Sequence, residues 1–258
     1  MPHILTALPA PELLISAALA LFVAYAIFGV TGFGSALVAA PVLAQIMPIS
    51  TIVPLLAILD LTAAITNGFR IDAKANRSEL MLLYPAMAVG NLIGAALLFY
   101  VATRSLMLAL GIFIIAYTVW SYFAPQSTSR IARFWAIPVS TIGGIFSGLF
   151  GMGGAIYAMY ISRRFDDRDT IRATQSALIG LSTFTRVIIF AIAGSYNDWE
   201  IPVLALLLVP IMFLGTFTGH HLTLKMSRER FMHFLYLLLI ASGTALIVRA
   251  LILRTVAV

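Results

Sequence analysis

Six apolar runs of bilayer-spanning length take up most of this chain, at 52–69, 80–101, 106–123, 173–193, 201–219 and 231–253. A hydrocarbon core of about 30 Å needs roughly 20 helical residues. Lipid offers no partner to a bare backbone amide or carbonyl, so each run is expected as a helix. Only 10% of the residues are charged, where soluble domains carry about a quarter, and the mean hydropathy is +1.02. The sequence therefore predicts an all-α polytopic membrane protein with no room for a soluble domain. There are no cysteines, and the four histidines fall at no zinc-ligand spacing. No metal or other cofactor is expected. The opening Met1-Pro-His-Ile-Leu-Thr lacks the basic region of a secretory signal.

The chain is also duplicated. Gly29, Gly32 and Gly34 recur as Gly148, Gly151 and Gly153 at one constant offset, which continues from Thr51-Ile52 to Thr170-Ile171. Pro85, Gly90 and Gly94 recur as Pro210, Gly215 and Gly219. The stretch 13–47 would measure about 50 Å as one helix, too long for a single crossing. Its glycines at 29–34 are the natural break, because glycine permits turns that other residues resist. The counterpart, 134–161, breaks at 148–154. Each copy is expected as a glycine-broken helical hairpin followed by three transmembrane helices. The repeats are 11–123 and 134–253, joined by a cytoplasmic linker at 124–133.

Loop charge sets their relative orientation. The 47–50 connection carries no charge, while its partner at 163–172 holds Arg163, Arg164, Arg168 and Arg172. Loop 70–78 holds Arg70, Lys74 and Arg77, against Asp198 and Glu200 near 195–200. The turn at 102–105 has Arg104 alone, against Lys225, Arg228 and Arg230. Positive loops face the cytoplasm, so matching loops fall on opposite sides and the two repeats are expected to be inverted. Both termini then lie outside the cytoplasm. All of the 16 Lys and Arg except Arg104, Arg186, Arg249 and Arg254 lie on the cytoplasmic side. The basic sequence pI, near 9.9, is thus accounted for by loop placement, and no nucleic-acid partner is implied.

The two broken segments, Gly32-Phe-Gly-Ser-Ala-Leu-Val-Ala-Ala-Pro41 and Gly148-Leu-Phe-Gly-Met-Gly-Gly154, resemble those of the TauE/SafE family of sulfite and organosulfur anion exporters. The resemblance extends to length and duplication. It departs at Ser35, where a third glycine is common, and at Tyr160, where the second copy often has proline. It implies a bacterial cytoplasmic (inner) membrane carrier for sulfite, an organosulfonate or a related small anion.

Two ionisable residues fall inside expected spans, Asp60 and Arg186. A charge at the bilayer centre costs about 2.5–3.5 kcal/mol on insertion scales, so each needs a reason. Arg186 stays charged and forks onto two oxygens of a sulfonate, sulfite or carboxylate. It is the expected anion anchor, and its position in the first copy is Asn67. The competing reading is a buried Asp60–Arg186 ion pair that only ties helices together. Asp60 has a third reading, as carrier of a coupling proton. Half-helices starting at Gly34 and Gly153 would point unpaired N–H groups and a positive dipole end at the midplane. That adds the amides of Gly32, Gly34, Ser35, Gly151, Gly153 and Gly154 as substrate contacts. The competing reading is that these glycines only permit close packing, the role expected of Gly90, Gly94, Gly215 and Gly219. Secondary polar contacts are expected from Asn67, Gln175 and Thr183. Thr185 and Asn91 are further candidates, although hydroxyls on such helices more often bond their own backbone.

These readings converge on a secondary transporter, expected as an exporter, working by alternating access between inverted halves. No nucleotide-binding motif is present to drive it. An anion channel on the same frame is the nearest alternative. A Ser147–His220 or Ser147–His221 hydrolase is a more distant one, and no enzyme is expected. The partners are a small anion and the lipid bilayer, with a coupling proton and a homo-oligomer as further options.

Overall fold

The structure is a computed structural model and describes residues 11–31, 34–66, 74–123, 130–222 and 228–255. These contain ten α-helices and no strand. They are α1 (Pro11–Thr31), α2 (Ser35–Leu43), α3 (Ile49–Thr66), α4 (Arg77–Tyr100), α5 (Thr103–Phe123), α6 (Ala136–Phe150), α7 (Gly153–Arg164), α8 (Arg168–Ile192), α9 (Glu200–Leu222) and α10 (Arg228–Thr255). Six helical segments are long and apolar enough to cross a bilayer: α3, α4, α5, α8, Glu200–His221 of α9 and Leu235–Ile252 of α10. Each copy thus supplies two helices around a glycine break and then three spanning helices. The chain is an all-α polytopic membrane protein.

Local chemistry places the breaks. Gly34 and Gly151 adopt φ of 90° and 79°, a left-handed conformation that side chains with a Cβ resist. Gly151 ends α6: its N–H donates to Ser147 O at 2.8 Å, and the Met152 N–H reaches Phe146 O at 3.2 Å, a Schellman closure. Gly34 precedes α2, where the Leu37 N–H returns to Gly34 O at 3.1 Å. Helix α8 opens on Asp167, whose carboxylate accepts from the Thr170 N–H at 2.9 Å. Helix α4 opens on Asn76, whose Oδ1 accepts from the Glu79 N–H at 2.9 Å.

The chain divides into two compact units, and each draws on both sequence copies. One gathers the described residues of Met1–Ile52, Tyr100–Pro125 and Leu206–Val258. Here α9 crosses α1 at glycines. A Cβ added at Gly219 would stand 2.1 Å from Ala26 O, and one at Gly215 would stand 2.6 Å from Phe22 O. Across the same contact, Gly29 faces Thr216 O at 2.5 Å. Helix α10 runs along α5, with Gly111 against the Gly243 carbonyl, and Arg249 Nη1 donates to Ala44 O at 3.2 Å.

The other unit gathers the described residues of Val53–Phe99 and Gln126–Ala205. It repeats the crossing with the roles of the copies exchanged: α4, from the first copy, lies across α6, from the second. A Cβ at Gly90, Gly94, Gly144 or Gly148 would stand 2.2–2.3 Å from the carbonyls of Thr141, Ile145, Met87 and Asn91 respectively. No carbon fits at such distances. Gly90, Gly94, Gly215 and Gly219 therefore serve packing, and Gly29 and Gly148 join them. Gly29 and Gly148 are thus at helix crossings, and Gly34, Gly151 and Gly153 are at the breaks.

At one end of this second unit the loops meet. The Ile131 N–H donates to Arg163 O at 3.1 Å, so the chain enters and leaves the α6–α7 hairpin at the same end. Lys74 pairs with Asp169 at 2.5 Å and Arg130 with Asp166. Glu79, buried, receives Arg133 at 3.3 Å, Arg164 at 3.5 Å and the Tyr160 hydroxyl. The stretches before α4, before α6 and between α7 and α8 are thus drawn together by charge. Together with the helix turns that flank them, these stretches hold the basic residues of this unit other than Arg186.

Candidate functional site

Arg186 lies in the C-terminal third of α8, 2% exposed, inside the second unit. A guanidinium carries five N–H donors and never loses its charge, so a fully buried one demands acceptors. Its Nη2 donates to Asp60 Oδ2 of α3 at 3.2 Å and to Thr183 Oγ1, one turn back, at 3.5 Å. Its Nη1 reaches Ser147 O of α6 at 3.4 Å. Its Nε has no hydrogen-bond partner. The Ser147 carbonyl is already held by the Gly151 amide. Arg186 therefore also lies at the C-terminal end of α6, where the helix dipole favours a cation. Asp60 is itself 8% exposed. The pair that the sequence placed within reach is formed, but the guanidinium is gripped by three long contacts and its Nε–H is held in reserve.

Around this pair lies a set of polar groups from three further elements. Ser147 Oγ and Ser182 Oγ are 2.8 Å apart. Ser182 also meets the Tyr157 hydroxyl at 3.5 Å and Asn91 Nδ2 at 3.2 Å. Ser182 sits one turn before Arg186 on the same face of α8. All four residues are buried. The start of α7 belongs to the same cluster: a Cβ at Gly153 would stand 2.6 Å from Ser147 Cβ and 2.9 Å from the Tyr157 hydroxyl. The first-turn amides of α7 have no partner within their own helix. Tyr196, in the turn after α8, donates to Pro54 O at 3.1 Å. Burial pushes its hydroxyl pKa up, and the Arg186 charge acts against that rise.

Not every expected residue is gathered here. Arg186, Asp60 and Thr183 are in direct contact, and Gly153 adjoins their cluster. Gly151 and Gly154 belong to the adjoining α6–α7 break. Gln175 stands eleven residues before Arg186 on α8, about 16 Å along the helix axis, and is not part of the cluster. Gly34 and the buried Ser35 belong to the first unit. Gly32 and Asn67 lie outside the described residues. Thr185 returns its hydroxyl to Leu181 O at 2.8 Å. His221 bonds Phe217 O and lies on the Phe217 ring, and both His220 and His221 are exposed. The described partner of the Ser147 hydroxyl is Ser182, so no Ser–His pair is formed there. Sequence reasoning gave no site role to Ser182 or Tyr157, considered Ser147 only as a nucleophile, and left Asn91 without a direction. A serine or tyrosine on an apolar helix carries no mark of which neighbour it meets. Their common helical stripe with Arg186 was the one usable signal, and it reached only Ser182.

A polytopic helical protein whose buried interior holds an ion pair and a polar cluster has the frame of a membrane transporter. A match to the sulfite exporter TauE/SafE family spans residues 17–246, so the chain belongs to that family and is a membrane transporter. It is also 25% identical over 194 residues to a Comamonas testosteroni protein named "Probable inner membrane transporter protein TsaS", across 74% of this chain and 81% of that one. No solved structure matches it significantly.

Proposed function

We propose that this transporter moves a small anion, either sulfite or an organosulfonate, across the bacterial inner membrane, with Arg186 as the anchor. The observation that carries this reading is the incomplete satisfaction of the buried guanidinium, whose Nε has no partner. A structural cation would be expected to hold a full set of short, charge-assisted bonds. Arg186 instead holds contacts of 3.2–3.5 Å, which an oxyanion with two forked oxygens would better. Asp60 then acts as the resident counter-charge. It yields Arg186 to the incoming anion and takes it back on release, so the empty site stays neutral. A coupling proton has its place on Asp60, because separating a buried carboxylate from its cation is costly and protonation removes that charge. The first-turn amides of α7 supply further donors. Export is the favoured direction, since the negative interior of the cell drives an anion outward. Alternating access by inverted repeats, with both termini outside the cytoplasm, is part of the same proposal and is supported by the one-sided basic loops.

The test is flux in proteoliposomes over a panel of sulfite, thiosulfate, alkanesulfonates and small carboxylates. Wild type is expected to exchange at least one sulfur oxyanion saturably. Arg186→Gln is expected to lose that flux by tenfold or more, the scale of a hydrogen bond to a charged group. Normal transport by Arg186→Gln would leave Arg186 as a helix tie and overturn the reading.

A further inference from the structure

Asn91 is the second buried side chain in this cluster with an unused hydrogen-bonding atom. Its residue is 0% exposed, and its Oδ1 has no hydrogen-bond partner. Its Nδ2 donates to Ser182 O at 3.4 Å and to Ser182 Oγ at 3.2 Å. A backbone carbonyl can only accept, so this contact fixes which end of the amide is nitrogen and leaves the oxygen as the orphan. A buried amide oxygen without a donor is costly, and each such case in a folded protein needs an explanation.

Packing does not supply one. Asn91 lies at the α4–α6 crossing, where its backbone carbonyl faces Gly148. The matching crossing in the other unit, α9 on α1, has Thr216 in the same place, its carbonyl facing Gly29. Thr216 satisfies its own hydroxyl by donating to Met212 O at 2.9 Å. The frame is thus built equally well by a residue that needs nothing from outside its helix. The neighbours differ in the same sense: Ser147 corresponds in the repeat to Phe28, Ser182 to Ala63 and Tyr157 to Val38. The polar set is an addition to one crossing, and it runs without a gap from Asn91 through Ser182 and Ser147 to Arg186. One end of that chain offers an unused donor, Arg186 Nε, and the other an unused acceptor, Asn91 Oδ1.

We infer that Asn91 is a specificity-determining residue whose amide oxygen accepts a hydrogen bond from the transported anion. The site then selects anions that carry an O–H or N–H donor beside the charged group over equal-sized anions that lack one. This rests on the anion-site reading above. It extends that reading from the charge of the substrate to its donor group.

Two probes of matched charge separate the ideas: 2-hydroxyethanesulfonate, which carries a donor, and ethanesulfonate, which does not. Both are to be measured as flux into proteoliposomes containing the full chain. Wild type is expected to prefer the hydroxy compound by roughly tenfold, the effect of pairing a buried acceptor. Asn91→Val is expected to bring the two rates together, chiefly by lowering 2-hydroxyethanesulfonate flux. Asn91→Thr, the residue the matching crossing uses, provides a variant that the frame accommodates and is expected to behave like Asn91→Val. Equal rates in wild type would overturn the inference and leave the anion site standing. A preference that survives in both variants would do the same. If neither sulfonate moves in wild type while the protein is folded, sulfonate transport through this site fails, and the inference fails with it.

Discussion

The two helix crossings at Gly29/Gly219 and at Gly94/Gly148 have the same backbone geometry and different chemistry. In both, a glycine-bearing spanning helix from one copy presses on the hairpin of the other, at distances that admit no Cβ. In the first unit the residue matching Asn91 is Thr216, whose hydroxyl is bonded to its own helix. In the second unit the same contact carries Asn91, Ser147 and Ser182, and leads to a buried ion pair. The pairs Lys74–Asp169, Arg130–Asp166, Arg133–Glu79, Arg164–Glu79 and Arg186–Asp60 are all in this second unit. The apolar crossing shows what packing alone requires. Whatever the polar crossing adds therefore calls for a reason other than packing, and transport is the reason at hand.

The comparison breaks most severely at the glycines, where both units should respond alike. Gly219→Val and Gly148→Val each drive a branched side chain into a backbone carbonyl that sits 2.1–2.2 Å from the first added carbon. Each is expected to cost about 3 kcal/mol or more, read as loss of monodisperse protein after detergent extraction. If one variant were tolerated and the other not, the two crossings would not be equivalent.

The next effect belongs to the second unit alone. Asp60→Ala leaves the Arg186 charge buried with no counter-ion, at an expected cost of about 3–5 kcal/mol, seen as a lowered melting temperature. Replacing both partners with apolar residues, Asp60→Leu with Arg186→Met, is expected to restore most of that stability, because a buried pair and a well-packed apolar pair are often near parity. Transport should stay absent in the double variant. Stability and activity would then be separated at one pair of residues.

The smallest effect is at the loop end. The Thr170 hydroxyl and backbone N–H hold the Asp167 carboxyl pKa below its usual value. A carboxylate depressed in the folded state stabilises that state above its unfolded pKa. The contribution is lost as pH falls through the folded value. Wild type should therefore show a slight acid-induced fall in thermal stability below about pH 4 that is absent in Asp167→Ala. An unchanged acid limb in that variant would remove Asp167 as a cap of any consequence.

Much of this architecture was legible in the chain because lipid makes it so. Apolar runs must become helices, and a 35-residue apolar stretch interrupted by glycines must turn back on itself. Asp60 and Arg186 stood out because charges are rare in such runs, and their contact followed from similar depth. The chain did not reveal that Gly90 and Gly94 press on the second-copy hairpin and not on their own. Repeat matching shows which positions are equivalent and is silent about which copy an element packs against. Nor did it reveal the cluster of Asn91, Ser147, Tyr157 and Ser182. These residues are brought together by crossing angles set by glycines elsewhere, and no local pattern records that. The break itself was only partly legible, since Gly29 and Gly148 read as part of it and lie instead within continuous helices.

The exchange of elements between copies has a consequence for how the protein is made. The crossing partners of α1 are Gly215 and Gly219 of α9, so the first hairpin leaves the ribosome long before its neighbour exists. At 5–20 residues per second, the interval from residue 31 to residue 219 lasts roughly 10–40 s. Through that time a glycine-lined helix face rests in the membrane or its insertion machinery with nothing of its own chain against it. A nascent chain arrested before α9 would be held to the bilayer by length and hydrophobicity alone. The first unit closes only as synthesis ends.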